Sequence, residues 1–160
     1  MKTIILLLLL LSMNQQINIV GKYKDHFGSQ IVLNSDSTFH WSYLMDGVYF
    51  WAKGNWELNY DTLYLNPIPI YDTLRISGFK DTLVKAFNEI PRLRIEDYFD
   101  SLIWANDFLC PQQDVERKLY YKDNKLIKFD KEGNLITKKE THPLYRTKSL
   151  YDPWFEKVSK

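Results

Sequence analysis

Between residues 17 and 87 the chain consists of short segments in which apolar and polar side chains alternate. In segment 37–44, Phe39, Trp41 and Tyr43 fall on one face, and the intervening residues fall on the other. Strict alternation of this kind predicts β-strands that bury one face in a core. Small turn residues such as Asn34-Ser35-Asp36 separate the segments, as they do in hairpins. The first half of the chain is therefore constrained to antiparallel β-structure.

A short repeat supports this interpretation. Asp-Thr-Leu occurs at 61–63, 72–74 and 81–83, at intervals of eleven and nine residues. Each aspartate can accept a backbone hydrogen bond in a turn, and each threonine suits the start of a strand. Strands spaced in this way are typical of an antiparallel meander, sandwich or barrel. A metal site built from the same aspartates would need all three to converge, so their use in turns is the preferred interpretation.

The segment 88–113 breaks the alternation. Its apolar residues at 95, 98, 99, 102 and 103 have helical spacing, which predicts one short amphipathic helix that packs on the sheet or closes one end of a barrel. Strand character returns at 118–122, 125–129, 135–138 and 154–158, and Asp123-Asn124 and residues 131–134 supply the tight turns between the first three of these segments. The predicted fold class is therefore all-β and mainly antiparallel: a lipocalin-like meander barrel or a sandwich with one short helix.

The first sixteen residues have the pattern of a secretory signal peptide. Lys2 precedes an apolar stretch that includes an unbroken leucine run at 6–11, and polar residues follow at 12–16. The run is shorter than the roughly 20 apolar residues that span a bilayer. No cysteine follows it, which argues against a lipid anchor, and the one cysteine, Cys110, has no neighbour that would activate it. We expect a signal peptide at 1–16, a single β-rich domain at 17–160, and a periplasmic or secreted protein without a stable membrane anchor.

The charge of that domain argues against two classes of partner. Removal of residues 1–16 takes away Lys2 and leaves equal numbers of basic and acidic side chains. A chain without net charge has no electrostatic basis for binding nucleic acid or an anionic membrane. Nine Phe, eleven Tyr and five Trp instead provide large apolar surfaces, both for a core and for contact with a ligand.

A search for catalytic, metal and cofactor motifs gives no assignment. The three histidines stand far apart in the sequence, and no nucleophile elbow, phosphate loop or dinucleotide fingerprint is present. We therefore predict no catalytic residue, no metal ligand and no cofactor. Acidic residues of the predicted helix, Glu96 and Asp100, together with His40, leave a hydrolase open as an alternative.

Aromatic residues give the candidate binding site. Tyr49 and Trp51 share the second face of a strand that is apolar on both sides, so they are covered by the helix, line a cavity or form an exposed patch. Lys85 alternates in phase with apolar neighbours, which places it in a cavity or at its rim. The predicted ligand-binding residues are Trp41, Tyr43, Tyr49, Trp51 and Lys85.

Part of the chain resembles small exported bacterial barrels of the lipocalin-like kind, including the copper-resistance lipoprotein type. The matching segments are 21–23, 31–33, 36–39, 54–56, 63–65 and 128–134. The chain lacks the lipid-bearing cysteine and the paired cysteines of the copper-linked family, so the resemblance implies a barrel and not a role with metal. As a whole, the chain is also similar to small exported proteins of Gram-negative bacteria, for which the resemblance implies no activity.

The leading hypothesis is an exported, non-enzymatic β-barrel binding module for a small apolar or aromatic ligand or a protein partner. One alternative is an extracytoplasmic hydrolase that uses the acidic helix and His40. Another is a structural or inhibitory protein that acts through surface or β-edge contacts. An enzyme is the less favoured class.

Overall fold

The computed structural model describes residues 19–45, 47–75, 78–86, 89–90, 112, 114–141 and 149–159. The predicted signal peptide, the predicted helix at 95–103 and Cys110 lie outside these residues. Within them, no helix has the length and apolar character needed to cross a membrane.

The described part of the chain forms a closed antiparallel barrel of eight strands and two small hairpins. The strands are β1 (Gly21–Lys24), β2 (Gln30–Leu33), β3 (Thr38–Met45), β4 (Val48–Asn59), β5 (Thr62–Pro67), β6 (Tyr71–Leu74), β7 (Thr82–Lys85), β8 (Lys118–Lys122), β9 (Lys125–Lys128), β10 (Glu140–Thr141), β11 (Leu150–Tyr151) and β12 (Phe155–Lys157). Around the barrel the order is β1, β2, β3, β4, β5, β8, β9 and β12, and β12 pairs with β1. Because every barrel strand follows its neighbour in chain order, the predicted meander barrel is confirmed, and the sandwich is not formed.

The alternation of side chains determines which face of each strand lines the barrel. Tyr43, Trp41 and Phe39 of β3 lie opposite Phe50, Ala52 and Gly54 of β4 on the inner face. The inward side chains of all eight strands, together with Ile19, form one buried cluster. Its members are Ile19, Tyr23, Ile31, Leu33, Phe39, Ala52, Trp56, Leu63, Leu65, Leu119, Leu126 and Phe155. An eight-stranded barrel is just wide enough for side chains to fill it, and here they do so around this cluster.

The turn residues predicted from the sequence form tight turns. Asp123 and Asn124 have φ values of 50° and 60°, the left-handed pair that a two-residue hairpin turn between β8 and β9 requires. After β9, Asp130 accepts a hydrogen bond at 2.7 Å from the backbone N–H of Asn134, and Gly133 has a φ of 85°. The segment 130–134 therefore forms a tight turn.

Two hairpins are inserted between barrel strands. Along the chain, β6 and β7 follow β5 and precede β8, and they pair only with each other. In the same way, β10 and β11 come between β9 and β12 in the sequence and pair with each other. The prediction of a strand at 135–138 is wrong. Of these four residues, only Leu135 forms a β-bridge, and its partner is Phe129. Insertion of the first hairpin brings chain from beyond β5 to the outer surface of β4, where the candidate site lies.

Candidate functional site

The hairpin of β3 and β4 extends beyond the strands on either side of it. β2 pairs with β3 only as far as Ser42, and β5 pairs with β4 only as far as Gly54. Residues 43–45 and 48–53 therefore project past the rim of the barrel and are called the arm below. Because side chains alternate along a strand, the arm and the residues at its base have an inner face toward the barrel mouth and an outer face away from it.

The inner face is aromatic at the mouth of the barrel. Trp41 is half-buried and packs against the core cluster. Tyr43 is also half-buried and stacks on Phe50 of the opposite strand, with ring centroids 6.4 Å apart and an interplanar angle of 26°. Two of the five predicted ligand-binding residues therefore lie together at the mouth.

Tyr49 and Trp51 lie on the outer face and are separated from that pair by the strand itself. Trp51 is 1% exposed and makes a parallel bridge with Gln112. Tyr49 is 45% exposed, and its ring lies 6.5 Å from that of His40. The predicted helix, which was one of the expected covers for Tyr49 and Trp51, lies outside the residues that the structure describes. One ligand cannot contact both faces of the arm, so the five predicted residues form more than one surface.

A polar cluster lies beside Tyr49 on the outer face. Glu89 Oε1 is 2.9 Å from His40 Nε2, and Glu89 Oε2 is 2.5 Å from Lys53 Nζ. His40 and Lys53 are cross-strand partners on β3 and β4, which places both side chains within reach of one carboxylate. Glu89 thus ties the chain after β7 to the outer surface of the hairpin.

The charges of this cluster shift two pKa values. Partial burial alone would raise the pKa of Glu89, but hydrogen bonds from Lys53 and His40 and their charges outweigh it and lower that pKa. The pKa of Tyr49 is raised, mainly because its hydroxyl is partly removed from water. A hydrogen bond with Ser42 lowers this pKa, and the nearby Glu89 carboxylate raises it further. Glu89 is therefore held as a carboxylate and Tyr49 as a neutral phenol.

We expect Glu89→Gln to be less stable than the native protein at neutral pH and less sensitive to acid. Because the pKa of Glu89 is lower in the folded protein than its ordinary value of 4.5, the carboxylate stabilises the fold above that value. This contribution is lost as the pH falls through the lowered pKa. The check is urea unfolding between neutral pH and pH about 3, with Glu132→Gln in an exposed turn as the matched control. Equal acid sensitivity of the two variants would contradict the assignment.

Lys85, the fifth predicted residue, lies on the outer side of the barrel and not in its interior. It is exposed at the end of β7 and lines a small pocket with Ala52 and Lys53 of β4. Residues 67–69, Gln112 and Asp114 complete the lining. Lys85 therefore lines a pocket outside the barrel, and its role in ligand binding stays a prediction.

Gln112 gives this pocket a polar group in its wall. It is 6% exposed, and its Oε1 accepts a hydrogen bond at 3.3 Å from the backbone N–H of Ile70. Its Nε2 is buried, and no described residue accepts a hydrogen bond from it. Glu89 and Gln112 were both missed from the sequence, since neither belongs to a motif or a periodic segment.

The described residues place one carboxylate beside His40. No group of three or more His, Cys, Asp or Glu side chains could hold a metal ion among the described residues. Glu96 and Asp100, the predicted partners of His40 in a hydrolase, lie outside these residues. The carboxylate found beside His40 is Glu89, so the arrangement is one histidine–carboxylate pair next to a lysine.

No protein-family model matches the chain, no curated protein matches it, and no solved structure matches it. The candidate sites are therefore interpreted from the geometry of this chain alone.

Proposed function

We propose that the protein is an exported, non-enzymatic β-barrel binding module that takes a small apolar or aromatic ligand at the mouth of the barrel. The observation that carries this proposal is the pair of half-buried aromatic side chains, Trp41 and Tyr43, on the inner face of the arm. The side chains of the core cluster are fully packed, whereas these two rings retain surface that a ligand can cover.

The mouth also favours a particular ligand chemistry. Rings stack on aromatic side chains in offset or edge-to-face arrangements, and each such pair contributes roughly 0.5–1.5 kcal/mol beyond its buried area. The hydroxyl of Tyr43 adds one group that can donate or accept a hydrogen bond. A flat, mainly apolar molecule with one polar substituent fits these features. Export is supported by the pattern of residues 1–16, whose cleavage would release residues 17–160 outside the cytoplasm.

The test is a fluorescence titration of the mature protein with Nile red, a neutral aromatic dye. Trp41→Ala should bind the dye about tenfold more weakly than the native protein, since tenfold corresponds to 1.4 kcal/mol, within reach of one lost aromatic contact and its buried area. Tyr43→Ala provides a second variant farther from the core cluster. The matched control is Phe79→Ala, which removes a 76% exposed ring outside the barrel. Equal affinity of all three variants would overturn the assignment to the mouth.

A hydrolase is the second candidate function, and one observation favours it. His40 lies 2.9 Å from the Glu89 carboxylate, which can orient an imidazole that acts as a general base. Hydrolysis of p-nitrophenyl acetate by the native protein and by His40→Gln tests this candidate. A rate that is indistinguishable between the two would remove it.

A protein partner is the remaining alternative. On the outer face of the arm, Leu44 is 65% exposed and Tyr49 is 45% exposed. Closure of the barrel gives each of its strands a partner on both sides, so in the part of the chain that the structure describes, backbone edges without a strand partner lie on residues 43–45 of the arm and on the two inserted hairpins. A partner that adds a strand would therefore pair at one of these places.

A further inference from the structure

A charged side chain reaches the inner face of the barrel at the end of β9. Lys128 is the last residue of that strand and pairs with Leu119 of β8, which is fully buried in the core cluster. Because cross-strand partners point to the same side of a sheet, Lys128 points into the barrel. It is half-buried, and its Nζ lies 5.3 Å from the centre of the Phe155 ring, which also belongs to the core cluster. The ammonium group is therefore held against the packed core and not on the outer surface of the barrel.

Lys128 lies on the wall of the barrel opposite Trp41 and Tyr43. Four strand pairings separate β9 from β3 in either direction around the ring of eight strands. All of these pairings are antiparallel, so β3 and β9 run in the same direction. Because β3 runs toward the arm and Lys128 ends β9, Lys128 stands at the mouth end of the barrel. The interior of an eight-stranded barrel has room for one small ligand at most, so a ligand at the mouth can contact both walls.

The described residues give the Lys128 ammonium no carboxylate partner. Its described side-chain contact is with the face of the Phe155 ring. The electrons of the ring attract the cation, but the contact gives its three N–H groups no acceptor. A half-buried ammonium has also lost part of its hydration. A ligand that brings a carboxylate to this position therefore supplies acceptors and the opposite charge together.

Two carboxylates follow strands at the mouth end, and both are hydrogen-bonded within their own turns. Asp130 accepts hydrogen bonds from the backbone N–H and the side-chain amide of Asn134, at 2.7 and 3.3 Å. Asp25, which follows β1, accepts hydrogen bonds from two backbone N–H groups at 2.9 and 2.8 Å. Arg117 adds a second cation at the inner rim, because its carbonyl oxygen accepts a hydrogen bond from the inward residue Leu65. Among the described residues, the cations of this rim thus lack an anionic partner, whereas its carboxylates have donors of their own.

We propose that the ligand bound at the barrel mouth is a small aromatic carboxylic acid. This assignment rests on the proposed binding at the mouth and identifies the polar substituent of the ligand as a carboxylate. The ring of the acid stacks on Trp41 and Tyr43, and its carboxylate forms an ion pair with Lys128 on the opposite wall. Because Lys128 is half-buried, water and salt screen this pair less than they screen an ion pair on the open surface.

The experiment is a pair of nitrogen-15 NMR titrations of the mature protein at neutral pH and constant ionic strength. One titration uses indole-3-acetate, and the other uses its neutral amide, indole-3-acetamide, which has the same shape. The indole N–H resonance of Trp41 reports binding at the mouth. The acid should bind about fivefold more tightly than the amide, which is the upper end of the range for a partly exposed ion pair.

Three variants test whether Lys128 is the source of this preference. Lys128→Gln should weaken binding of the acid by about fivefold and leave the affinity for the amide unchanged, which also shows that the variant is folded. Lys128→Arg retains the charge and should retain the preference for the acid. Lys122→Gln is the matched control, because it removes the same charge from an exposed side chain at the other end of the barrel.

The possible failures are distinguishable. Equal affinity of the native protein for the acid and the amide would overturn the assignment of a carboxylate and leave binding at the mouth intact. A preference for the acid that persists in Lys128→Gln would overturn the role of Lys128. If neither compound shifts the Trp41 resonance, binding of aromatic ligands at the mouth fails, and the carboxylate assignment fails with it.

Discussion

Replacing Trp56 by alanine should lower the free energy of unfolding by about 3–5 kcal/mol, the range observed for the loss of a large buried aromatic side chain. Trp56 is 4% exposed, and its ring lies in the core cluster. Its Nε1 donates a hydrogen bond of 3.0 Å to the carbonyl oxygen of Asn34, in the turn between β2 and β3. The substitution therefore removes two things at once: apolar contacts inside the barrel, and the hydrogen bond to the turn between β2 and β3.

Urea unfolding followed by far-ultraviolet circular dichroism measures this effect, and Trp56→Phe separates its two parts. Phenylalanine retains much of the apolar contact but cannot donate to Asn34, so its cost should be about 1–2 kcal/mol. Phe79→Ala is the control for loss of an aromatic ring at the surface. A Trp56→Ala variant no less stable than Phe79→Ala would contradict the central place of Trp56 in the core.

Replacing Gly54 by alanine should be the second most damaging change, with a loss of about 3 kcal/mol, at the upper end of what overpacking usually costs. A Cβ on Gly54 would overlap with the carbonyl oxygen of Asn66 and lie within 2.8 Å of the Cα of Pro67. Both are backbone atoms of β5, so they cannot move aside by rotating a side chain. Glycine is required here because two backbones approach each other closely.

Gly28→Ala is the matched control for this prediction. Gly28 has a φ of 92°, and a Cβ there would meet no heavy atom within 4 Å. Its replacement should cost only the strain of the left-handed backbone, about 1 kcal/mol. If Gly54→Ala were as stable as Gly28→Ala in the same urea unfolding experiment, close approach would not be the reason for the glycine.

Local pattern was sufficient to predict the strands but not how the sheet closes. Alternation indicated β3 and β4, and the turn residues at 123–124 indicated the hairpin of β8 and β9. The contact that closes the barrel joins Tyr23 to Lys157, and no local signal encodes a pair so far apart in sequence. The Asp-Thr-Leu repeat shows the same limit, because the repeat begins a strand at Thr62 and Thr82 but ends β6 at Leu74.

The candidate site was predictable only where it depends on alternation. The pattern placed Trp41 and Tyr43 on one face, and the structure has them there at the barrel mouth. The contacts on the outer face are made by residues that lie far from β3 and β4 in the sequence. Glu89 reaches His40 across 49 positions, and Gln112 pairs with Trp51. These partners are determined by tertiary packing, which a single sequence does not reveal.

The pairing of β1 with β12 also determines when the molecule can fold. Tyr23 and Lys24 of the first strand pair with Lys157 and Glu156 of the last strand of the barrel. The ring of strands is therefore incomplete until residue 157 is present, and loop-closure entropy slows the formation of so distant a pair. A chain emerging from the ribosome would stay open during synthesis. The closed barrel can therefore form only after β12 has been synthesised.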